Sequence, residues 1–291
     1  MNFMMISIIV PFYKGNQYLH QMLQQFKNNQ THLKQHYPEM NLELVIMNDS
    51  PSIQVDFEET EDIHIINNEQ NLGIHGTRIN GLNYIKGEFV LFLDQDDKIE
   101  DYYIVSQYEH LKDSDVVVCN AIEEKDNLPV VFYKSKKHQV CCQELKWYFT
   151  TTNQILSPGQ CLIKVEKIPT FWKEHTLKVN GADDMLLWVC MLLERCKFNI
   201  NEEILYTHVD TGSNVSDDLN LMTNSKKAVY DLLVNHHLLN RKQQKQLYHC
   251  ICWKEYLYES HSTLAKVIKS LCHPILLMNN IHYQLIKRKV V

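Results

Sequence analysis

The sequence predicts an α/β protein, a mostly parallel sheet flanked by helices, followed by a C-terminal helical extension. Three observations carry this. Short runs at 6–10, 42–47 and 89–93 are almost wholly apolar, broken by Ser7 and Glu43 alone, as strands buried on both faces are. Between them lie segments whose apolar residues recur at helical spacing. From Asp217 onward the pattern is helical almost to the end, interrupted at Pro274.

The elements follow in order. Ile6 to Val10 is rich in β-branched residues and is stopped by Pro11. Tyr18, Leu19, Met22, Leu23 and Phe26 then mark a helix. Leu42 to Met47 is a second strand ending in the turn signal Asn48-Asp49-Ser50-Pro51, and Ile63 to Ile66 a third ending in Asn67-Asn68. A helix from about Ile74 to Ile85 precedes the strand of FVLFLDQDD, residues 89–97. In open α/β sheets ligands bind beyond the carboxyl ends of the strands. Pro11-Phe12-Tyr13, Asn48-Asp49, Asn67-Asn68 and Asp94-Gln95-Asp96-Asp97 all fall on that rim. After Asp115 the order is less regular, with strands at 116–119, near 130–133 and at 161–164, and a helix over about 183–195. With no repeat or Gly/Ser linker, soft boundaries near 112 and 216 divide the chain into 1–112, 113–216 and 217–291.

Composition narrows the classes. A chain of 291 residues, 45% of them hydrophobic, can bury a sizeable core. Its nine cysteines are scattered without a CxxC pair, which favours reduced, buried thiols over a disulfide or zinc framework. The N-terminus lacks a charged leader region and reads as a strand, so a cytoplasmic protein is expected. The most apolar stretch, 185–193, is far below the roughly 20 residues that span a bilayer. A net charge of −6 argues against nucleic acid as partner. Residues 260–291, however, carry five Lys/Arg and no acid, leaving −11 for the rest. That basic, apolar tail suggests a helix packed on the domain or a peripheral anchor on an anionic membrane.

The acidic cluster is the sharpest local feature. In an extended segment Asp94 and Asp96 point the same way, and two carboxylates about 5 Å apart repel by roughly 3 kcal/mol at an effective dielectric near 20. A hard divalent ion, Mn²⁺ or Mg²⁺, shared with substrate phosphates would relieve this. The plainer alternative has Asp97 capping a helix that begins near Glu100, with the other two acids solvated. An EF-hand is excluded because its sixth and twelfth positions would be Ile99 and Val105, and no P-loop or dinucleotide fingerprint occurs. Further on, GADDMLLW (181–188) opens a nearly uniformly apolar helix with two acids. One suffices as a cap, which leaves the other as a candidate general base.

Six segments together, IIVPFY (8–13), ELVIMNDSP (43–51), NLGIHGTRINGL (71–82), FVLFLDQDD (89–97), GADDMLLW (181–188) and the weaker LYTHVDTGSNVS (205–216), make the chain resemble the family 2 glycosyltransferases of GT-A (Rossmann-like) fold over about residues 5–216. The resemblance implies an inverting, metal-dependent enzyme moving a sugar from a nucleotide sugar, in particular a UDP-sugar, to a glycan or lipid-linked glycan. Residues 1–112 would then form the nucleotide-sugar half and 113–216 the acceptor half. It implies that Pro11, Phe12 and Tyr13 line the base and that Asp49 hydrogen-bonds it. Gly73 and Arg78 would lie near the diphosphate, Asp94 and Gln95 at the nucleotide, and Asp96 on the metal. Asp184 would be the base, with Asp183 orienting the acceptor or a loop.

Two positions depart from the family pattern. Asp183 stands where Glu is usual, and Thr211 where many relatives have a His five residues before Ser216. The third metal ligand is then absent or supplied by His208 or Asp210. A catalytically silent binding module is a rival reading, opposed by the acids retained at 94, 96, 183 and 184. A sugar nucleotidyltransferase is another, opposed by PFYKGN standing where a Gly-rich loop would follow the first strand.

Overall fold

The computed structural model describes residues 4–125, 128–212 and 218–288; Ser216 and Lys289 lie outside them. A mixed, nine-stranded sheet among these residues has the spatial order β3-β2-β1-β4-β8-β6-β9-β5, with β7 added on β6. The strands are β1 Met5–Phe12, β2 Asn41–Asn48, β3 Ile63–Asn67, β4 Phe89–Phe92, β5 Lys98–Ile99, β6 Val116–Lys125, β7 Leu128–Val131, β8 Cys161–Lys164 and β9 Phe198–His208. The helices are α1 Asn16–His36, α2 Gly73–Gly81, α3 Tyr103–Leu111, α4 Lys136–Val140, α5 Leu145–Thr150, α6 Thr170–Glu174, α7 Asp183–Leu193, α8 Leu219–Asn235, α9 Arg241–Glu259, α10 Thr263–Leu271 and α11 Pro274–Lys287.

The first four strands are parallel, with Ile9 opposite Val45 on one side and Phe92 on the other. Their consecutive apolar residues divide between the two faces. Ile9, Val45, Val90 and Phe92 pack toward α7; Ile8, Val10, Leu44 and Leu91 pack with Leu19, Met22 and Phe26 of α1 and Ile104 of α3. Such two-sided burial is the reason these strands lack an apolar–polar alternation. Past β4 the sheet becomes mixed, because β8 runs antiparallel to both β4 and β6. One sheet therefore runs through both halves of residues 1–216.

Two elements bring distant chain to the rim. β9 runs parallel to β6 with register shifts at Cys119–Ala121, and its end pairs antiparallel with β5, Lys98 opposite Thr207. This carries Tyr206 and His208 to the acidic cluster. α7 is buried along almost its whole length, including Leu186 and Trp188, so its first turn is fixed under the same rim. The cysteines are free thiols, most of them buried, as the sequence predicts. No helix among the described residues is long and apolar enough to cross a membrane.

The C-terminal helices divide their contacts. Tyr283 of α11 packs with Cys141 and Trp147, and Leu276 with Cys250 and Trp253. The other apolar faces of α10 and α11 stay in solvent, with Leu264 70% and Met278 69% exposed. The tail thus packs on the rest of the chain through Tyr283 and Leu276 and exposes its other apolar residues.

Candidate active site

Three rim segments converge on Arg78. It projects from α2, whose entry needs Gly73: φ there is +71°, a left-handed conformation costly for any residue with a Cβ. Asp49 fixes that entry, accepting from Leu72 N at 2.7 Å and Gly73 N at 3.0 Å, and Asn68 Nδ2 also donates to it at 2.8 Å. Arg78 is 2% exposed. Its Nη2 donates to Asp94 Oδ1 at 2.5 Å and its Nη1 to Asp183 Oδ2 at 2.7 Å. Burial alone would disfavour the guanidinium charge, but Asp94, Asp183 and Asp184 outweigh it and hold the group protonated. Arg78 is therefore the ionic link between the end of β4 and the start of α7.

The acidic cluster is compensated differently from the expectation of one ion between Asp94 and Asp96. Asp94 is paired with Arg78 and also accepts from Ser157 Oγ at 3.3 Å. Asp97 does not cap a helix, since the residue preceding α3 is Tyr102. It is buried instead, accepting from the Tyr206 hydroxyl, from His208 Nδ1 at 3.1 Å and from Val209 N at 2.9 Å. Burial works against a charged His208, but the hydrogen bond and charge of Asp97 more than offset it and raise its pKa to about 9.

Asp96 is the carboxylate of the three with no ion pair among the described residues. Burial, then the charges of Asp97 and Asp94, push its pKa up to about 6. No group of three or more metal-binding side chains occurs among the described residues. Asp96 is thus the carboxylate of this cluster that could hold a hard divalent ion.

Pro11, Phe12 and Tyr13 close the other side. Gln95 clamps this segment, accepting from Tyr13 N at 2.9 Å and donating to Tyr13 O at 3.2 Å. A Cβ on Gly15 would overlap Gln95 Oε1, so the clamp needs glycine there. Phe12 O accepts from Asp49 N at 2.8 Å. The Phe12 ring is buried in the core, whereas Tyr13 is about half exposed beside the rim.

Asp183 and Asp184 have separate environments. Asp183 is buried and carries the Arg78 pair, and its carbonyl accepts from Trp172 Nε1 at 2.8 Å. Asp184 accepts from Asn153 Nδ2 at 2.7 Å and from Met185 N at 2.6 Å. Burial first, then the charge of Asp183, raise the Asp184 pKa to about 7, with Arg78 pulling the other way. That value suits a proton acceptor working near neutrality. His75 is a structural residue: it is buried, Leu177 N donates to its Nδ1 at 3.0 Å and its Nε2 faces Trp172 O at 3.2 Å.

The sequence-predicted residues Asp94, Arg78, Asp183 and Asp184 thus come together, with Gln95, Tyr13 and Asp96 beside them. Asp49 and Gly73 shape the adjoining loop, and His208 faces Asp97. Asn153, Ser157 and Tyr206 escape sequence reasoning, because each acts through a partner more than 30 positions away.

The chain is similar to known proteins in sequence and in fold. A glycosyltransferase of Haemophilus influenzae, itself uncharacterised, is 25% identical over 262 residues, covering 83% of this chain and 80% of that one. EpsH of Bacillus subtilis is 27% identical over 125 residues, 41% of this chain; the chain matches only 34% of that protein's length. The crystal structure of Staphylococcus aureus TarS 1–349 in complex with UDP-GlcNAc superposes with a TM-score of 0.61 at 16% identity, covering 89% of this chain and 74% of that one, so the two share a fold. The model of glycosyl transferase family 2 matches residues 7–169, more than half of the chain. With the GT-A fold and an acid-lined rim at the ends of its strands, the chain belongs to glycosyl transferase family 2.

Proposed function

We propose that the protein transfers a sugar, with inversion, from a UDP-sugar to a hydroxyl of a glycan or lipid-linked glycan in cell-surface polysaccharide synthesis. The observation that carries this reading is the Arg78 bridge, which locks a rim acid of the donor side to the helix bearing Asp184. The UDP complexes of TarS, a relative in fold, support the choice of nucleotide. Pro11 and Tyr13 bound the base, with the buried Phe12 ring supporting their segment from the core, Asp49 and Gln95 hold the loops around it, and Asp94 meets the ribose side.

Asp184 takes the proton of the acceptor hydroxyl as its oxygen bonds to the anomeric carbon, and the bond from that carbon to the diphosphate breaks on the opposite face. UDP leaves with the bonding pair, so no covalent sugar–enzyme intermediate forms. A Mn²⁺ or Mg²⁺ ion held on Asp96, with His208 as a second protein ligand, would neutralise charge on the leaving diphosphate. The Asp97–His208 hydrogen bond is the kind of contact that orients a metal-binding imidazole.

Asp96→Asn tests this assignment through binding alone. Titrated with UDP in Mn²⁺, the variant is expected to bind about tenfold or more weakly than the parent, as loss of an ion ligand predicts. In EDTA the two should bind UDP alike. An equal response to Mn²⁺ in both proteins would remove Asp96 from the ion.

The tail supplies a location. The exposed strip of Leu264, Ile268, Leu271, Ile275 and Met278 lies beside a groove of about 550 Å³ lined by Arg241, Lys242 and Lys245. Apolar and basic groups side by side, with no acid from 260 to 291, fit the inner, anionic face of a cell membrane. Leu264→Gln/Ile268→Gln/Leu271→Gln should abolish co-sedimentation with vesicles containing anionic lipid; sedimentation equal to the parent's would sink the contact.

A further inference from the structure

Beside Asn153 and Met185, α5, α7, α8 and α9 line a pocket of about 50 Å³. Its lining includes Tyr148, Asn153, Met185, Thr223, Lys226 and Lys254. By the space one water requires, that volume holds roughly three or four waters, enough for a small oxyanion. Lys226 of α8 and Lys254 of α9 both face it, and neither ammonium has an ion pair or hydrogen bond among the described residues. Their neighbours Lys227 and Glu255 pair with each other at 2.5 Å. Asn153 gives its amide nitrogen to Asp184, and its Oδ1 is buried without a partner among the described residues.

Two half-buried cations with no ion pair, Lys226 feeling only the more distant charge of Asp184, are a standing cost to the fold. Desolvation lowers the pKa of both lysines, that of Lys254 to about 8 with the Lys226 charge adding to the effect. Such an arrangement persists where something outside the chain completes it. Two of its lining residues, Asn153 and Met185, hydrogen-bond Asp184, so the pocket adjoins the group that removes the acceptor's proton, and what completes it is part of the acceptor.

We propose that this pocket is an acceptor subsite for an anionic group, a phosphate or a carboxylate, carried close to the attacking hydroxyl. Lys226 and Lys254 bind the anion, and Asn153 Oδ1 accepts a hydrogen bond from a hydroxyl of the same acceptor while its amide nitrogen holds Asp184. The acceptor is accordingly a phosphate-bearing or uronic-acid-bearing chain rather than a neutral glycan. The inference rests on the reading of Asp184 as the base.

Titration calorimetry tests it with the full chain, saturated with UDP and Mg²⁺ so that the donor's own phosphate sites are filled. The probes are glycerol 1-phosphate, glucuronate and neutral glycerol. At least one anion is expected to bind where glycerol does not, and whichever binds tells phosphate from carboxylate. Lys226→Met/Lys254→Met should weaken that binding about tenfold or more, the scale of lost charge-assisted hydrogen bonds, whereas Lys226→Arg/Lys254→Arg keeps it. The Met variant should also melt higher than the parent without ligand, since it removes two unpaired ammonium groups. Anions that bind no better than glycerol, or binding unchanged in the Met variant, would overturn the proposal. Failure of the base assignment shows separately, as turnover surviving in Asp184→Asn, and leaves the anion titration readable.

Discussion

Asp184→Asn is expected to lower turnover by about 10²–10⁴-fold, the usual contribution of a positioned general base. The amide keeps the shape of the side chain and its contact with Asn153, so the loss is one of proton acceptance. The parent's pH profile should share this origin. With the Asp184 pKa near 7, kcat/KM rises with pH as the carboxylate ionises and levels off about one unit above that value. Below it the protonated acid cannot take the acceptor's proton. A profile already flat from pH 5 upward would mean that a group of lower pKa does the work.

Arg78→Met is expected to cost more stability than any other single change at the site. It leaves Asp183, whose side chain is 5% exposed, and Asp94, at 22%, without their shared cation. Breaking a buried pair by removing one partner costs roughly 3–5 kcal/mol, which for a chain of this size lowers Tm by on the order of 10 °C. Arg78→Lys cannot restore both contacts, because one ammonium replaces a fork that reaches two acids at once. Asp183→Asn introduced into the Met variant should recover part of the loss by removing one uncompensated charge. Scanning calorimetry of the three proteins checks this, and a Tm within about 2 °C of the parent for Arg78→Met would contradict the bridge as the link between the halves.

Much of this architecture was legible in the sequence, for physical reasons. Strands buried on both faces leave nearly continuous apolar runs, so β1, β2 and β4 could be read from Ile6–Val10, Leu42–Met47 and Phe89–Leu93, and the rim followed from their ends; the exceptions, Ser7 and Glu43, bond to each other in the interior. α7 was legible because a fully buried helix is apolar all round. β9 was not, because its middle is polar: Asn201 is fully buried and bonded to Ser106 and Gln107, and Glu202 and Glu203 bulge outward where the register with β6 shifts.

Pairwise electrostatics were the least legible. Asp97 resembles a helix cap in sequence, yet its partners Tyr206 and His208 arrive from more than 100 positions away on β9. The Arg78–Asp183 contact spans 105 positions, and nothing local in either segment announces it. The Asp183 carboxylate reaches Arg78 directly, at 2.7 Å. Lys226 and Lys254 likewise lie on helices whose patterns reveal only amphipathicity.

One half of the fold is expected to hold the donor while Asp184 of the other half removes the acceptor's proton. The most direct measurement is UDP affinity in Mn²⁺, determined by calorimetry on Asp184→Asn beside its turnover. The account predicts a Kd within about twofold of the parent's together with turnover reduced at least a hundredfold. Affinity that falls in step with turnover, or turnover that survives, would contradict it.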